Sequence, residues 1–333
     1  MTEDHRDAGP LTRVTLDQEL LARRLRGSDP TLTIGEAADR VQLTLEQILR
    51  INRAAGFADP EPDAPVFNED DVEVFVLSKV AMDFFGDDQT VQFARVAGLA
   101  MSRVADTAIS MFVSSIGERS KSAAIDLDSL ADANQTAIDM LPAAIRIMDV
   151  LLRRHMAQRS RDEIAMGTEW HGIDALDRAV GFCDLVGYTS LSARVSTIEL
   201  AALLARFEER ASDRITGAGG IVVKLIGDEV MFVASDAPTA VGIAGALVAA
   251  FPHDGLPPVR IGLAAGNVIV REGDYHGPVV NLAARLVKLA PPGGVIAPSD
   301  FAAHAAGFAT EEAGTPSLKG FDAPISVVRL TPK

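Results

Sequence analysis

The sequence predicts an all-α N-terminal domain followed by an α+β domain with a ferredoxin-like βαββαβ sheet. Three observations predict this order. Apolar residues recur at three- and four-residue steps through residues 88–158, a spacing typical of long helices. From Arg178 onward, short β-branched runs alternate with amphipathic segments. Among them lies the hairpin IVVKLIGDEVMFV, residues 221–233, with Lys224 inside its first arm and Asp228 at its turn.

Composition limits the compartment and the partners that we expect. The 333 residues leave room for two domains, and 31 basic against 46 acidic residues give a net charge of −15. This balance argues against nucleic acids and anionic membranes, since both bind dense cationic patches. The single cysteine, Cys183, excludes an intrachain disulfide and suits a reducing cytoplasm. The longest apolar run, residues 240–251, is too short to span a bilayer, so we expect a cytoplasmic protein without a transmembrane segment.

The N-terminal domain is predicted over residues 1–160. Residues 1–12 are predicted to be disordered, and a helix is predicted over residues 14–26. The segments TIGEAADR and TLEQILRIN, within residues 33–52, predict two short helices, and another helix is predicted near residues 69–85.

These helices resemble the start of a MerR-type DNA-binding domain. Residues 31–90, however, hold 4 basic and 13 acidic residues. A recognition helix without cations lacks the phosphate contacts that supply most of the affinity for DNA. We therefore interpret the helix-turn-helix as a packing element and expect no nucleic-acid partner.

Two broad apolar stripes follow in residues 88–158. Such stripes are typical of a core or of helix–helix dimer contacts, and an apolar lumen that holds a lipid is a further alternative. Pro142 predicts a kink in the second helix. The first stripe contains Phe93, Ala97, Ala100, Met101, Val104, Ala108, Met111 and Phe112, and the second contains Leu127, Leu130, Ile138, Leu141, Ile145, Met148 and Leu152.

Residues 161–175 are predicted to be a linker, and residues 176–333 to form the second domain. His155 and His171 lie at or near the linker, where a histidine is more often solvated than a pH switch. In the second domain, RAVGFCDLVGYTSL predicts a strand that ends at Asp184. Helices over residues 197–218 and 237–251, the hairpin and later strands complete the βαββαβ order, with the helices expected on one face.

Two carboxylates of this domain are expected to converge. Asp184 ends the first strand and Asp228 lies at the hairpin tip, and these strands are neighbours in a βαββ sheet. Mg²⁺ prefers such oxygen ligands and takes only one or two carboxylates besides phosphates and waters. The turn LVGYTS after Asp184 leads into a helix start, whose free N–H groups favour an anion. The pattern therefore indicates phosphoryl chemistry on a nucleoside triphosphate.

Three motifs, FCDLVGYTSL, KLIGDEVMFV and DYHGPVVNLAARL, resemble in order and spacing the catalytic domain of class III nucleotide cyclases, over about residues 175–333. The resemblance implies adenylate cyclase activity with two divalent cations, Mg²⁺ or Mn²⁺. It also implies the site residues. The metal ligands are Asp184, Asp228 and the carbonyl of Leu185, and the adenine-specifying pair is Lys224 and Asp274. The residues that act on the transition state are Asn281 and Arg285. The phosphates are bound by Lys319 and by the turn that contains Leu185, Val186, Gly187, Tyr188 and Thr189.

The residue types suit these roles. A lysine can donate to adenine N1 and an aspartate can accept from the N6 amino group, whereas guanine presents the opposite pattern. Asn281 and Arg285 are four residues apart on one helix and so share a face. Lys224 and Asp228 are too close in sequence to hold both ends of an extended ATP. The family it resembles resolves this with a head-to-tail homodimer whose two sites lie at the interface.

The N-terminal half is similar to the helical regulatory domain of certain mycobacterial soluble cyclases. That resemblance implies a response to acidic pH and a fatty-acid pocket, and we expect linker histidines to release the catalytic pair when they are protonated. The main alternative is a catalytically silent, cyclase-like sensor or DNA-binding regulator. A diguanylate cyclase is a third interpretation, but it favours Gly-Gly before the acidic pair, and Ile226-Gly227-Asp228 has one glycine.

Overall fold

The first half of the chain is helical and the second half is built on a sheet, which confirms the predicted fold class. The computed structural model describes residues 23–120, 127–165, 175–251 and 253–332. The chain divides into two compact units, residues 1–169 and 170–333. The first unit contains α1 (Ile34–Val41), α2 (Leu45–Ala54), α3 (Glu69–Phe85), α4 (Asp87–Ser120) and α5 (Leu127–Ala165).

The short helices begin at capping residues that the sequence makes recognisable. Each cap accepts a hydrogen bond from the backbone three residues on, and the side chain at that third position bonds back to the backbone of the cap. Two of the predicted helices, α1 and α2, are separated only by a tight turn at Gln42, which has a positive φ of 57°. The capping pairs are Thr33–Glu36, Thr44–Gln47 and Asn68–Asp71.

The helix-turn-helix folds around a core of its own. Phe67 bridges to Leu32 by backbone hydrogen bonds and packs edge to face on Phe75, with ring centroids 5.3 Å apart. Its arginines contact carboxylates of the same unit: Arg40 with Glu69 at 2.7 Å, Arg50 with Asp88 at 2.8 Å and Arg53 with Asp59 at 2.6 Å. These cations are engaged within the unit, in agreement with a packing role.

The two long helices leave their apolar stripes exposed within the single chain. Phe93 and Met111 of α4 are 72% and 69% exposed, and Ile145 and Leu152 of α5 are 54% and 58% exposed. Of the three interpretations of these stripes, a core within the chain is not what these exposed side chains form. The predicted helix over residues 14–26 lies outside the described residues except for residues 23–26, of which 23–25 are helical and 26 is in a turn. Pro142 lies inside α5.

One described stretch is long and apolar enough to cross a membrane by length and composition. It is Asp87–Ser114 in α4. Its most apolar 18-residue segment has a mean hydropathy of 1.3, and none of that segment is buried. A lone helix of this kind is weak ground for a membrane span, because helices of soluble proteins meet the same criteria. The apolar run 240–251, considered from the sequence, forms the shorter helix Ala237–Ala250.

The second unit contains strands and helices in alternation. The strands are β1 (Ala175–Leu185), β2 (Ile221–Ile226), β3 (Glu229–Ala234), β4 (Val259–Arg271), β5 (Asp274–His276), β6 (Val295–Pro298), β7 (Phe308–Glu312) and β8 (Val327–Pro332). The helices are α6 (Tyr188–Ser192), α7 (Thr197–Gly217), α8 (Ala237–Ala250) and α9 (Pro278–Leu286). The described strands form one sheet in the order β2-β3-β1-β4-β6-β8-β7, and β5 pairs with β4.

The helices lie on both faces of this sheet, so the expectation of one covered face was wrong. Helices α7 and α8 pack with Cys183 and Phe232 in one core, whereas α9 packs with Phe182 and Met231 in another. Successive strand residues point to opposite faces, so these two cores lie on opposite sides. Helix α9 comes close because Gly262 of β4 has no side chain: a Cβ there would stand 2.2 Å from the backbone nitrogen of Val287.

Candidate active site

Three charged residues form one row across the centre of the sheet. The register of β1 with β3 places Asp184 opposite Glu229, and the register of β1 with β4 places Asp184 opposite Arg260. Residues directly opposite in antiparallel strands share a face. That face is the one covered by α9, because Phe182, two residues before Asp184, packs in the core beneath α9.

Arg260 binds the carboxylate of Asp184 directly. Its Nε donates to Oδ2 of Asp184 at 2.5 Å, and a second guanidinium nitrogen contacts the same oxygen. The Asp184 side chain is only 11% exposed. A buried carboxylate without a partner is costly, so this contact compensates its burial.

Asp228 reaches the same region from the β2–β3 turn. The backbone N–H of Leu185 donates to the carbonyl of Asp228 at 2.9 Å, which ties the turn to the end of β1. Gly227 adopts a φ of 63°, the left-handed conformation that this two-residue turn requires. The two predicted aspartates therefore converge, as the sequence indicated.

The pKa values of Asp228 and Glu229 are raised. Burial raises the pKa of Asp228, and the neighbouring Asp184 carboxylate raises it further. Burial also raises the pKa of Glu229, again with a contribution from Asp184, while Lys288 opposes the shift. Such a cluster attracts a cation, because a positive charge would relieve both burial and repulsion.

This donor set fits a hard divalent cation. Asp184 and Asp228 supply carboxylates, and the backbone of Leu185 lies beside Asp228, because its N–H donates to the Asp228 carbonyl. Among the described residues no group of three or more His, Cys, Asp or Glu side chains is placed to hold a metal. A site with two carboxylates is enough where substrate phosphates and waters complete the coordination of Mg²⁺.

Lys224 and Asp274 form a second charged pair. The Lys224 ammonium donates to Oδ2 of Asp274, and the backbone N–H of Tyr275 donates to Oδ1 at 2.8 Å. Burial raises the pKa of Asp274, but the hydrogen bonds from Lys224 and Tyr275 outweigh it, so the pKa lies below its ordinary value. The side chains are 36% and 30% exposed, which leaves the pair open to a ligand. A donor and an acceptor are thus held side by side.

Asn281 and Arg285 lie on α9, one turn apart. Asn281 is exposed and Arg285 is half-buried, while Ala283 and Leu286 of the same helix are buried. The close approach of α9 at Gly262 fixes this helix against β4. Both predicted side chains therefore stand on a helix that is packed against the sheet, Asn281 exposed and Arg285 half-buried.

The remaining predicted residues are placed more loosely. Gly187 has a φ of 80° and precedes the five-residue helix α6, which has no side-chain cap. Tyr188 is half-buried against the core, and Thr189 is exposed. Lys319 is exposed between β7 and β8, and no contact described here joins it to the other predicted residues.

Sequence reasoning missed Arg260 as a site residue and treated Glu229 only as a charge at the hairpin tip. Both residues lie beside Asp184 in the sheet. Arg260 bonds to its carboxylate, and Glu229 is its opposite residue in the β1–β3 register. One signal was present for Arg260: a lone cation begins the otherwise apolar strand RIGLAA. A cation in such a strand needs a partner, but the partner is 76 residues away in sequence.

Comparison with known proteins identifies relatives of this chain. Residues 9–158 match the family model of the adenylate cyclase regulatory domain. An adenylate cyclase from Streptomyces coelicolor is 33% identical over 293 residues, covering 86% of this chain and 75% of that protein. A pH-sensitive adenylate cyclase from Mycobacterium tuberculosis is 30% identical over 328 residues, covering 93% and 81%. Among solved structures, the adenylyl cyclase CyaB from P. aeruginosa covers 48% of this chain and 95% of its own, at 22% identity and a TM-score of 0.43.

The relatives from Streptomyces coelicolor and Mycobacterium tuberculosis place the chain among the nucleotide cyclases. The chain belongs to the family of class III adenylate cyclases that carry an N-terminal adenylate cyclase regulatory domain. The family resemblance stated from the sequence motifs is therefore confirmed.

Proposed function

We propose that the chain is an adenylate cyclase, which converts ATP to 3′,5′-cyclic AMP and pyrophosphate. The Lys224–Asp274 pair carries this proposal. The ammonium can donate to adenine N1 while the carboxylate accepts from the N6 amino group. Guanine offers a donor at N1 and an acceptor at O6. The Lys224 donor would therefore face the N1 donor, and the Asp274 acceptor would face the O6 acceptor.

Asp184, Asp228 and the carbonyl of Leu185 would hold two divalent cations, Mg²⁺ or Mn²⁺. Bound there, the cations would supply a lowered pKa at the ribose 3′-hydroxyl and charge neutralisation at the phosphates. The residues themselves contribute position: Asp184 is held on a central strand and Asp228 on a turn bonded to that strand. The raised pKa of Asp228 supports this role, because burial and the nearby Asp184 carboxylate both disfavour its negative charge and a cation would relieve both.

The other residues act on the substrate. Asn281 orients the ribose, and the guanidinium of Arg285 stabilises charge that builds on the α-phosphoryl oxygens while the 3′-oxygen attacks phosphorus and pyrophosphate leaves. The backbone of residues 186–189 and Lys319 bind the triphosphate. Arg260 adds a further cation: once Asp184 is engaged elsewhere, its guanidinium is free to donate to a phosphate oxygen.

The active unit is a head-to-tail homodimer with two equivalent sites at the interface. One subunit supplies Asp184 and Asp228, and its partner supplies Lys224, Asp274, Asn281 and Arg285. Two features support this. Lys224 of the adenine pair and Asp228 of the metal pair lie four residues apart in the same hairpin, too close to hold the two ends of one extended ATP in a single chain. The exposed apolar stripes of α4 and α5 are further surfaces that a second copy would bury.

The N-terminal unit regulates this dimer, and pH is the proposed signal. The match of residues 9–158 to a regulatory domain supports the first statement, and the pH-sensitive relative supports the second. His155 lies exposed on α5, whereas His171 lies outside the described residues. A fatty acid in the regulatory domain and a cytoplasmic location stay predictions.

The decisive experiment measures cyclic nucleotide formation by the intact chain from ATP and from GTP, with Mg²⁺ or Mn²⁺. Cyclic AMP from ATP, lost on Asp228→Ala, is the expected result. Cyclic GMP from GTP as the main product would overturn ATP as the substrate, and no product under any condition would favour the silent regulator. Lys224→Met is the informative second variant, because it removes the adenine donor and leaves the metal side intact.

A further inference from the structure

Lys288 lies just beyond α9, the helix that carries Asn281 and Arg285. After α9 the chain continues as a single 3₁₀ turn, Val287–Leu289. Steps of four and three residues separate Asn281, Arg285 and Lys288, so the three side chains follow one side of the helix. Lys288 is exposed, and the reaction proposed above gives it no role.

Helix α9 runs antiparallel to β4. Near the start of the helix, a Cβ at Gly266 would stand 3.1 Å from Cγ2 of Val279. Just after its end, a Cβ at Gly262 would stand 2.2 Å from the backbone nitrogen of Val287. Residue numbers therefore rise along the helix where they fall along the strand, and the end of α9 lies over the first residues of β4.

The first residues of β4 belong to the catalytic site. Arg260 lies two residues before Gly262, so both face α9, and the Arg260 guanidinium contacts Asp184. Lys288 directly follows the residue that packs at Gly262. It therefore lies at the end of the sheet where Arg260 and Asp184 meet.

The charge of Lys288 acts on the acidic residues of the site. Glu229 lies opposite Asp184 in the β1–β3 register. Burial raises the pKa of Glu229 and the Asp184 carboxylate raises it further, whereas the cations Lys288 and Arg260 lower it. The interaction of two charges declines with distance, so this effect agrees with the position that the packing of α9 gives to Lys288.

Lys288 differs from Arg260 in having no carboxylate of its own. Arg260 donates to Oδ2 of Asp184 at 2.5 Å. In the part of the chain that the structure describes, Lys288 forms no ion pair with a carboxylate. Its ammonium offers three donors on a flexible stem, a group that commonly binds phosphate in proteins. A cation that stands beside the metal ligands without a partner is available to an incoming anion.

We propose that Lys288 binds a phosphate oxygen of the substrate triphosphate and of the pyrophosphate that leaves. The inference rests on the proposed function, because it adds a residue to the same site. A triphosphate held at Asp184 and Asp228 through divalent cations brings negative charge to the end of the sheet where the ammonium lies. In the proposed homodimer α9 then serves both sites. Asn281 and Arg285 act in one site, and Lys288 acts in the other, with the metal ligands of its own subunit.

The test measures the binding of inorganic pyrophosphate to the intact chain by calorimetry, at fixed free Mn²⁺ and fixed ionic strength. Pyrophosphate carries the phosphate groups without the base, and its binding requires no turnover. Lys288→Gln should raise the dissociation constant for pyrophosphate about tenfold, because one charge-assisted contact is lost. Lys288→Arg keeps the charge and the donors and should stay within about threefold of the unmodified chain. Lys288 is exposed, so neither change should impair folding.

Arg214→Gln is the matched control for a general loss of positive charge. Arg214 is exposed on α7, which packs on the opposite face of the sheet from α9. This variant should bind pyrophosphate like the unmodified chain. Mn²⁺ alone should bind Lys288→Gln at least as tightly as before, because a nearby positive charge is gone. In turnover, Lys288→Gln should raise the KM for ATP about tenfold and leave kcat within about twofold.

Three results would overturn the role of Lys288. They are no saturable binding of pyrophosphate by the unmodified chain, equal binding by that chain and Lys288→Gln, and equal weakening by Lys288→Gln and Arg214→Gln. Weaker binding of Mn²⁺ alone, by the same factor as pyrophosphate, would also overturn it, because the loss would then belong to the cation site. The proposed function fails separately. A chain that binds pyrophosphate through Lys288 but forms no cyclic nucleotide would refute the cyclase reaction while supporting the phosphate contact.

Discussion

Arg260 neutralises Asp184, the carboxylate that we assign to the catalytic cation, through an Nε–Oδ2 hydrogen bond of 2.5 Å. The two residues face each other directly in the β1–β4 register. A guanidinium and a divalent cation would compete for the same carboxylate oxygen. The contact therefore links three properties that can be measured separately: stability of the empty chain, affinity for the cation and affinity for the substrate.

The first prediction concerns Arg260→Ala. The chain without cation should lose about 1–3 kcal/mol of stability, because a charged hydrogen bond to a nearly buried carboxylate is removed. Mn²⁺ should bind at least as tightly as before, because its competitor is gone. The KM for ATP should rise about tenfold through the lost phosphate contact. Thermal unfolding, calorimetry with Mn²⁺ and steady-state kinetics measure the three effects.

Arg271→Ala is the control for this variant, because Arg271 ends the same strand and is 70% exposed. It should change none of the three quantities. If Arg260→Ala weakened Mn²⁺ binding instead, the guanidinium would support the cation site and the competition described above would be wrong.

The second prediction concerns Asp228→Asn. The folded pKa of Asp228 is raised, so the folded chain binds this proton more tightly than the unfolded chain does. The folded chain therefore loses stability as the pH rises from the pKa of Asp228 in the unfolded chain towards its pKa in the folded chain. The loss persists at neutral pH. Asp228→Asn should raise the melting temperature of the cation-free chain at pH 7. It should also abolish the stabilisation by Mg²⁺ or Mn²⁺ and lower kcat by about 100-fold or more, as expected when several kcal/mol of metal assistance are lost.

Asp236→Asn is the matched control, since Asp236 is an aspartate of the same unit that caps α8 and asparagine caps equally well. Cation-dependent stabilisation that survives in Asp228→Asn would remove Asp228 from the ligand set.

How far the sequence could predict this site depends on how local each relationship is. Asp228 and Lys224 belong to one hairpin, so their placement followed from a turn and an alternation contained in residues 221–233. The partnership of Arg260 with Asp184 could not be predicted in this way, because it depends on which strands become neighbours. The prediction that α9 lies on the same side of the sheet as the other helices was wrong for the same reason. An amphipathic sequence shows that one face of a helix is buried, but it does not show which face of the sheet covers it.

The same limit applies to the helical unit. The caps at Thr33, Thr44 and Asn68 are local signals, and the helices begin directly after them. The stripes that include Phe93 and Ile145 were correctly identified as apolar, but their spacing could not distinguish a core from a surface. In the single chain they are exposed.

The third prediction tests the base specificity. Lys224→Glu combined with Asp274→Ser replaces the donor by an acceptor for guanine N1–H and the acceptor by a donor for guanine O6. The ratio of kcat/KM for ATP over GTP should fall by about 100-fold or more, since unpaired polar groups are costly in a recognition site. Each single variant should lose activity with ATP without gaining it with GTP. An unchanged ratio in the double variant would show that the base is bound elsewhere.

The fourth prediction concerns pH. Histidine is the side chain whose ordinary titration falls between pH 5 and 8, and His155 is exposed on α5. The activity of the intact chain, divided by that of a chain starting at residue 165, should be higher at pH 6 than at pH 8. His155→Gln should reduce this difference. A ratio equal at both pH values would show that the N-terminal unit does not respond to protons.

The fifth prediction tests the dimer by complementation. In the proposed arrangement Asp184 and Arg285 of one site come from different subunits, so a chain with Asp184→Ala and a chain with Arg285→Ala are each inactive. When they are co-expressed in equal amounts, half of the dimers are mixed and each mixed dimer has one intact site. About a quarter of the unmodified activity should therefore return. The control pairs Asp184→Ala with Asp228→Ala. Both changes damage the same side of the site, so every mixed dimer lacks an intact site and no activity should return. Recovery in both pairings, or in neither, would mean that the two sides of the site are not shared between subunits in this way.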